Sequence, residues 1–331
     1  MKKIQVKSLC CEARVCRYGK RRRQCSQCKK TWRIRKKKRG RKQLRVTTHI
    51  VSDVLVRGET ITQRSQRGRL SARQYQLRYH RSVEERIPKQ WFPRVPSGKL
   101  ILIADGLWTL TNRKQRFVVY LMAIRSINNT QAIFLPPIIL KGSEIRRKWE
   151  LAFDVIPQSV GKRIVALVCD GISGLPNSAR ERQWIVQRCH FHFIRVLERF
   201  LGKTNSKIQH KELRENMYQS IRRAMTIPYG EEHDHLIQYI DTLAGSPVCP
   251  KWIHLHANEF LRHREDFRSY LRYPQYHLPA TTGTMENLCG SIRDLLRRSR
   301  GFKTEESLRT WINAFIKMKG TTTCNGKIQP N

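Results

Sequence analysis

Two segments of the chain end an apolar run on the same pair of residues. LILIADG closes at Asp105-Gly106 and VALVCDG at Asp170-Gly171. Each reads as a buried strand with a carboxylate at its carboxyl end, where ligands of α/β sheets tend to sit. The glycine lets the backbone turn sharply there. A strand-end Asp also has a plain explanation, because it turns the chain and reaches water. Two with the same flanks are a stronger signal. If the strands are neighbours, the carboxylates converge, and convergent anions need positive charge between them. A pair of divalent ions bound by hard oxygen ligands supplies it, and such pairs serve phosphoryl transfer. Glu286 in ATTGTMENLCGSIRD is the expected third acid, at the start of a helix whose free N–H groups favour a carboxylate. Capping of that helix explains Glu286 equally well. The same helix continues with Arg293, Arg297 and Arg298, which would grip phosphates.

The charge balance favours a polyanionic partner. The 331 residues carry 66 Lys and Arg against 25 Asp and Glu, a formal net charge of +41. A body with that excess repels itself unless a polyanion neutralises it. Nucleic acid is the first candidate and a charged membrane surface the second; an acidic small molecule would not need charge spread so widely. No apolar run of membrane-spanning length is present, and the basic amino terminus lacks the apolar core of a secretory signal.

The elements that must position these acids follow from the pattern. Strands are expected at 99–104 and 117–124 and within 130–140, with Pro136 and Pro137 marking an edge, a bend or the end of the third. Then come a helix at 142–153, a strand at 164–169, a helix at 174–184, a short strand at 186–188 and a helix from His190 to Leu201. Three successive strands followed by helix–strand alternation argue for an α/β layer on a mixed sheet. Residues 205–275 show helical patterns only, at 208–226, 231–244 and 255–270, and read as an all-helical insertion. Helices at 285–299 and 304–318 close the fold, and the tail from Gly320 reads as frayed. Trp108, Trp149 and Trp184 are expected in the core, and Trp252 is the better base-stacking candidate.

Upstream, residues 1–45 hold 20 of the basic residues and one acid, Glu12. Cys25 and Cys28 form a C-x-x-C knuckle suited to Zn²⁺, with Cys16 plus Cys10 or Cys11 as the expected partners. The alternative is a metal-free amino terminus. The run Arg35, Lys36, Lys37, Lys38, Arg39, Arg41 and Lys42 would extend onto phosphate, giving affinity with little sequence reading. Residues 46–90 predict three short helices, the last beginning after Ser71, a good N-cap. They resemble a helix-turn-helix module whose last helix would offer Arg73, Gln74, Arg78 and Arg81 to a major groove; an ordinary helical linker is the plain alternative. Pro88, Pro93, Pro96 and Gly98 mark a boundary at 88–98. The expected organisation is therefore 1–45, a basic zinc-ribbon-like domain; 46–90, the helical module; 98–204 and 276–320, two parts of a catalytic domain; 205–275, the insertion; and 321–331, a tail.

With these residues in place, the chain resembles the Mutator-type transposases of bacterial insertion sequences. The resemblance rests on the strand-Asp-Gly at 100–106, LVCDGISGL at 167–175 and WIVQRCHFHFIRVL at 184–197. Its sharpest piece is Asp-Gly followed about seventeen residues later by Gln-Arg-Cys-x-x-His. It implies an RNase H-like mixed-sheet domain interrupted by a helical insertion, with a DDE triad of Asp105, Asp170 and Glu286 holding two Mg²⁺ or Mn²⁺ ions. Cys189 and His192 would match a Cys-x-x-His signature that supports the active site. The implied activity is hydrolysis of a phosphodiester at each element end, then attack of the freed 3′-hydroxyl on target DNA. The implied partners are double-stranded DNA and a second copy of the chain in the DNA complex, in the bacterial cytoplasm. The family's clean C-x-x-C in the first half of the zinc knot is CCEARVC here, which puts the ligand set in question. A nuclease of the same fold that cuts without joining, and a non-catalytic DNA-binding descendant, fit the same residues.

Overall fold

A computed structural model describes residues 10–11, 13–18, 22–33, 49–68, 70–86, 91–111, 115–172, 174–201, 209–299, 302 and 304–324. The basic run from Arg35 to Lys42 and the end of the tail lie outside the described residues. The chain divides into two units, Met1–Thr48 and His49–Asn331.

In the first unit, β1 (Val15–Arg17), β2 (Arg22–Cys25) and β3 (Thr31–Arg33) form an antiparallel sheet in sequence order. The turn between β2 and β3 holds Cys28, and its backbone closes with Lys29 N donating to Cys25 O.

The second unit opens with α1 (His49–Leu55), α2 (Ile61–Arg67) and α3 (Ala72–Arg86). Thr60 and Gln63 form a capping box that starts α2. Ser71 Oγ accepts from Gln74 N at 3.3 Å, the N-cap role expected of it. The sheet follows: β4 (Leu100–Leu110), β5 (Arg116–Ser126), β6 (Gln131–Phe134) and β7 (Ile138–Lys141). Next are α4 (Arg146–Phe153), α5 (Gln158–Gly161), β8 (Ile164–Cys169), α6 (Leu175–Glu181), β9 (Ile185–Arg188) and α7 (His190–Leu201). The helical insertion is α8 (Lys211–Thr226), α9 (Glu231–Gly245) and α10 (Lys251–Phe267), with the short α11 (Ser269–Arg272) leading out. Then α12 (Gly283–Arg298), α13 (Glu305–Lys319) and β10 (Thr321–Thr323) complete the unit.

The result is a mixed α/β fold. Seven strands lie in the order β10-β6-β5-β4-β8-β9, with β7 also paired to β5. β4, β5 and β6 run antiparallel in succession, whereas β8 and β9 join parallel to β4. One face buries Leu100, Leu102, Ala104 and Tyr120 against Trp149, Phe153 and Leu175 of α4 and α6. The other face meets α12 and α13. Strand alternation assigns successive β4 residues to these two faces, so Asp105 falls on the α12 side. The insertion has its own core, with Met217, Ile221, Ile240, Ile253 and Phe260 packed on Phe193 and Leu197 of α7. Among the described residues, no helix is long and apolar enough to cross a membrane.

Three expectations change. The third strand is two, β6 and β7, because Pro136 and Pro137 supply no backbone N–H and break the ladder between them. The tail from Gly320 is not frayed at its start: Thr321–Thr323 pair antiparallel with β6, and Cys324 is buried behind them. β-branched threonines suit that edge position but give no apolar alternation to read in the sequence. Trp108 is 49% exposed rather than core, whereas Trp149 and Trp184 are buried as expected. The α1–α3 segment shares a unit with the sheet, and Tyr79 of α3 packs on Trp311 of α13 with ring centroids 4.9 Å apart.

Candidate functional site

The parallel pairing of β4 with β8 sets the site. Ile101, Leu102 and Ile103 stand opposite Ala166, Leu167 and Val168. Two residues further along each chain come Asp105 and Asp170, so the two acids are neighbours; the strand expected to end at Asp105 instead runs on to Leu110, leaving Asp105 in mid-strand and only Asp170 just past a strand end. Asp170 leaves the sheet in a turn that its own Oδ1 stabilises, accepting from Ile172 N at 3.0 Å. Gly171 follows at φ +83°, a left-handed conformation that favours glycine.

Two helices begin beside these acids. Cys189 closes the step from β9 into α7, its N–H donating to Cys169 O at 2.7 Å. His192 lies in the first turn of α7 and Glu286 in the first turn of α12. His192 Nε2 is 2.6 Å from Glu286 Oε1. Ligand atoms of Asp105, His192 and Glu286 all fall within 4.8 Å of one another, a group that could hold a metal ion. Asp170 is outside that tight group, yet its charge raises the pKa of Asp105.

The electrostatics match a site short of positive charge. Burial, then the charges of Asp170 and Glu286, push Asp105 up to about 7 against the pull of His192. Burial also raises Asp170, opposed by the Ile172 N–H, His192 and Arg188. Glu286 moves the other way, because its hydrogen bond to His192 outweighs burial. For His192, burial favours the neutral ring, but bonding to Cys189 and Glu286 and the charge of Asp105 prevail and raise it to about 11. Asp105 is 4% exposed, and no Lys or Arg pairs with it among the described residues. Buried carboxylates in that state take up a proton or a cation. The two carboxylates suit a hard divalent ion such as Mg²⁺ or Mn²⁺, whereas a neutral imidazole beside them favours softer ions such as Zn²⁺.

Cys189 is not a surface ligand. Its Sγ accepts from Thr282 N and Thr282 Oγ1, each at 3.2 Å, and the side chain is fully buried. It ties the start of α7 to the N-cap of α12 and so holds His192 and Glu286 together. Cys289, one helical turn beyond Glu286, brings its Sγ to 3.8 Å from Asp105 Oδ2.

Sequence reading passed over Glu144. This residue, between β7 and α4, accepts from Trp149 Nε1 at 2.9 Å through Oε1, and Oε2 is buried without a partner. Burial, then the charge of Asp170, push it up to about 7. A side chain at position 106 would collide with its carboxylate, so Gly106 makes room for it. Its only signal was Gly106 itself, read above as a turn glycine although it lies inside β4.

The cysteine knot forms with one change of ligand. Cys10, Cys11, Cys25 and Cys28 bring their sulfurs within 4.8 Å of one another, a second group that could coordinate a metal ion. Adjacent Cys10 and Cys11 both belong, and Cys16 does not. The reason is strand alternation: Cys16 pairs with Gln24, one register position away from the Val15–Cys25 pair, and so faces away from Cys25. Bonding to Cys28, then burial, push Cys11 up to about 12.

The expected DNA-contacting residues divide. Arg73 and Arg81 are exposed on α3, and Arg293, Arg297 and Arg298 are exposed on α12. Arg78 is half-buried, with Nη1 enclosed and unpaired. Gln74 is exposed, but its Oε1 accepts from Ser71 N at 3.3 Å, so it is engaged at the helix start. Arg297 pairs with Asp294. Trp252 is 59% exposed on α10. The residues Arg35, Lys36, Lys37, Lys38, Arg39, Arg41 and Lys42 are outside the described residues. Among known proteins, the chain matches no family model and no curated protein.

Proposed function

We propose that this protein is a metal-dependent DNA transposase with an RNase H-like catalytic domain, akin to the Mutator-type enzymes its motifs resemble. The observation that carries this reading is the meeting of Asp105, Glu286 and His192 from three separate stretches of sequence, with Asp170 following the neighbouring parallel strand close enough for its charge to act on Asp105. The three-strand antiparallel start, the parallel addition and the helical insertion between the second and third acids support it. So does the charge of +41, which suits a long anionic partner.

In this reading Asp105, Asp170 and Glu286 hold two Mg²⁺ or Mn²⁺ ions. When bound, these supply activation of a water or 3′-hydroxyl and stabilisation of the leaving oxygen. The protein's own part is positional. Asp105 is fixed by β4, Glu286 by α12 and His192, and Asp170 by its turn. Arg293, Arg297 and Arg298 continue along α12 and would seat the phosphate backbone. No nucleophilic side chain is required. Zn²⁺ would occupy Cys10, Cys11, Cys25 and Cys28. The partners are double-stranded DNA at the element ends and at the target, with a second copy of the chain when two ends are cut together. The site of action is the bacterial cytoplasm.

The test is an end-labelled duplex, taken from the DNA flanking the reading frame, incubated with Mg²⁺ and a supercoiled plasmid. Metal-dependent cleavage followed by joined products is expected. Cleavage without joining would favour a nuclease. DNA binding with no metal-dependent cleavage, matched by an Asp170→Ala control, would overturn the enzymatic reading.

A further inference from the structure

Arg188 closes β9 opposite Cys169, the residue before Asp170. It is 5% exposed, an unusual place for a guanidinium. Its Nη2 donates to Gly171 O at 3.0 Å and to Glu259 Oε1 at 2.9 Å. The guanidinium carbon sits 5.1 Å from the centre of the Phe267 ring. Nε and Nη1 are buried without partners. A side chain at 171 would collide with the guanidinium, so Gly171 is needed for this approach as well as for its backbone angle. Glu259 belongs to α10, inside the helical insertion, and is itself partly exposed.

An ion pair whose guanidinium is buried with two orphan donors is a poor source of stability. Apolar residues of similar volume commonly hold such a place as well or better. The contacts instead form a chain: insertion helix, Glu259, Arg188, the Gly171 carbonyl, then the Asp170 carboxylate one residue away. Hydrogen-bonded partners behind a ligand fix its orientation and tune the ion it binds.

We propose that Glu259 and Arg188 are a positioning pair through which the helical insertion holds the Asp170 turn in its cation-binding arrangement. The pair rests on the reading of Asp170 as a cation ligand. It makes the insertion part of the metal site rather than only a surface for DNA. Arg188 and Glu259 touch no reacting atom.

The experiment measures Mn²⁺ binding by calorimetry on the full chain, with Zn²⁺ supplied beforehand to the cysteine cluster. Glu259→Gln removes the charge while keeping the shape. It is expected to weaken Mn²⁺ about 10–100-fold, as loss of a ligand's supporting group does, with an unchanged thermal unfolding midpoint. Glu259→Asp should recover part of the affinity. Arg188→Lys should also weaken Mn²⁺; if it fails to fold, Glu259→Gln alone decides. Unchanged Mn²⁺ affinity in folded Glu259→Gln overturns the proposal. An Asp170→Asn control separates the two layers. If that control also leaves Mn²⁺ affinity unchanged, the reading of Asp170 fails and the positioning pair with it. If Asp170→Asn loses affinity and Glu259→Gln does not, only the positioning pair fails.

Discussion

His192 Nε2 lies 2.6 Å from Glu286 Oε1, joining the first turn of α7 to the first turn of α12. The bond places the imidazole among the acids, where its charge holds Glu286 in position and offsets that of Asp105. His192→Ala should therefore weaken Mn²⁺ binding by about 10–100-fold, the range seen when a ligand or its support is lost. His192→Gln should fall between the two. Calorimetric titration of Mn²⁺ checks it; an affinity unchanged by His192→Ala would remove the side chain from the site.

Asp170 follows directly on β8, the strand parallel to β4, and its charge is one of the forces that raise the Asp105 pKa. Asp170→Ala removes that charge without removing bulk from the core. The variant should still bind DNA within about twofold, because surface phosphate contacts supply most of that affinity. Metal-dependent cleavage should fall by about a hundredfold or more. Gel-shift and cleavage assays run in parallel read both quantities, and retained cleavage would take Asp170 out of the chemistry.

Much of this site was legible because it is built from local patterns. Apolar runs ending in Asp-Gly mark β4 and β8, and the 3.6-residue period marks α7 and α12. The sequence could not show which strands pair, so the Asp105–Asp170 relation needed the observed register. Glu144 was missed because it lies in a polar connection, and what makes it part of the neighbourhood is the space over Gly106 across the sheet. Cys16 was expected in place of one of the adjacent pair Cys10 and Cys11, because spacing carries no information about strand faces. The β10 edge was invisible for the related reason that Thr-Thr-Thr has no apolar alternation.

The cysteine cluster makes a selective prediction. Cys25→Ser or Cys28→Ser should abolish binding of one Zn²⁺ equivalent, and Cys16→Ser should leave it intact, since Cys16 faces away. Small metal-held units lose their fold when the ion is removed. A chelator should accordingly raise protease sensitivity in the first unit and spare the second. Zinc stoichiometry by mass spectrometry under native conditions decides between the cysteines.

His190 gives a pH dependence independent of metal. The ring is buried, and Nε2 lies 2.6 Å from Phe267 O, the bond expected of a neutral imidazole N–H. Burial lowers its pKa from 6.5 to about 4, against the Phe267 carbonyl. Above pH 6.5 neither folded nor unfolded chain is protonated there, and the contribution to stability is complete. Between 6.5 and 4 only the unfolded chain takes the proton, so stability falls with falling pH. The loss is about 1.4 kcal/mol per pH unit, or roughly 3 kcal/mol over the window. Urea unfolding at pH 7 and pH 5 should show a loss about 2 kcal/mol smaller in His190→Gln than in the unaltered protein. Equal losses would mean that the ring is accessible to protons when folded.

The exposed arginines should separate affinity from sequence reading. Arg297 lies on α12 and Arg73 on α3, the helix expected to enter a groove. If Arg297 meets phosphate, Arg297→Ala weakens all duplexes alike and lowers the slope of log affinity against log salt by about 1. If Arg73 meets a base edge, Arg73→Ala costs about 1–3 kcal/mol on element-end DNA and little on unrelated duplex. Gln74→Ala should behave differently again, because its side chain caps α3 at Ser71. Its effect should appear in thermal stability, by about 0.5–1 kcal/mol, more than in end preference. Fluorescence anisotropy with end and scrambled duplexes over a salt series measures the binding terms. An Arg73→Ala variant that weakens both duplexes equally would reassign α3 from base reading to backbone contact.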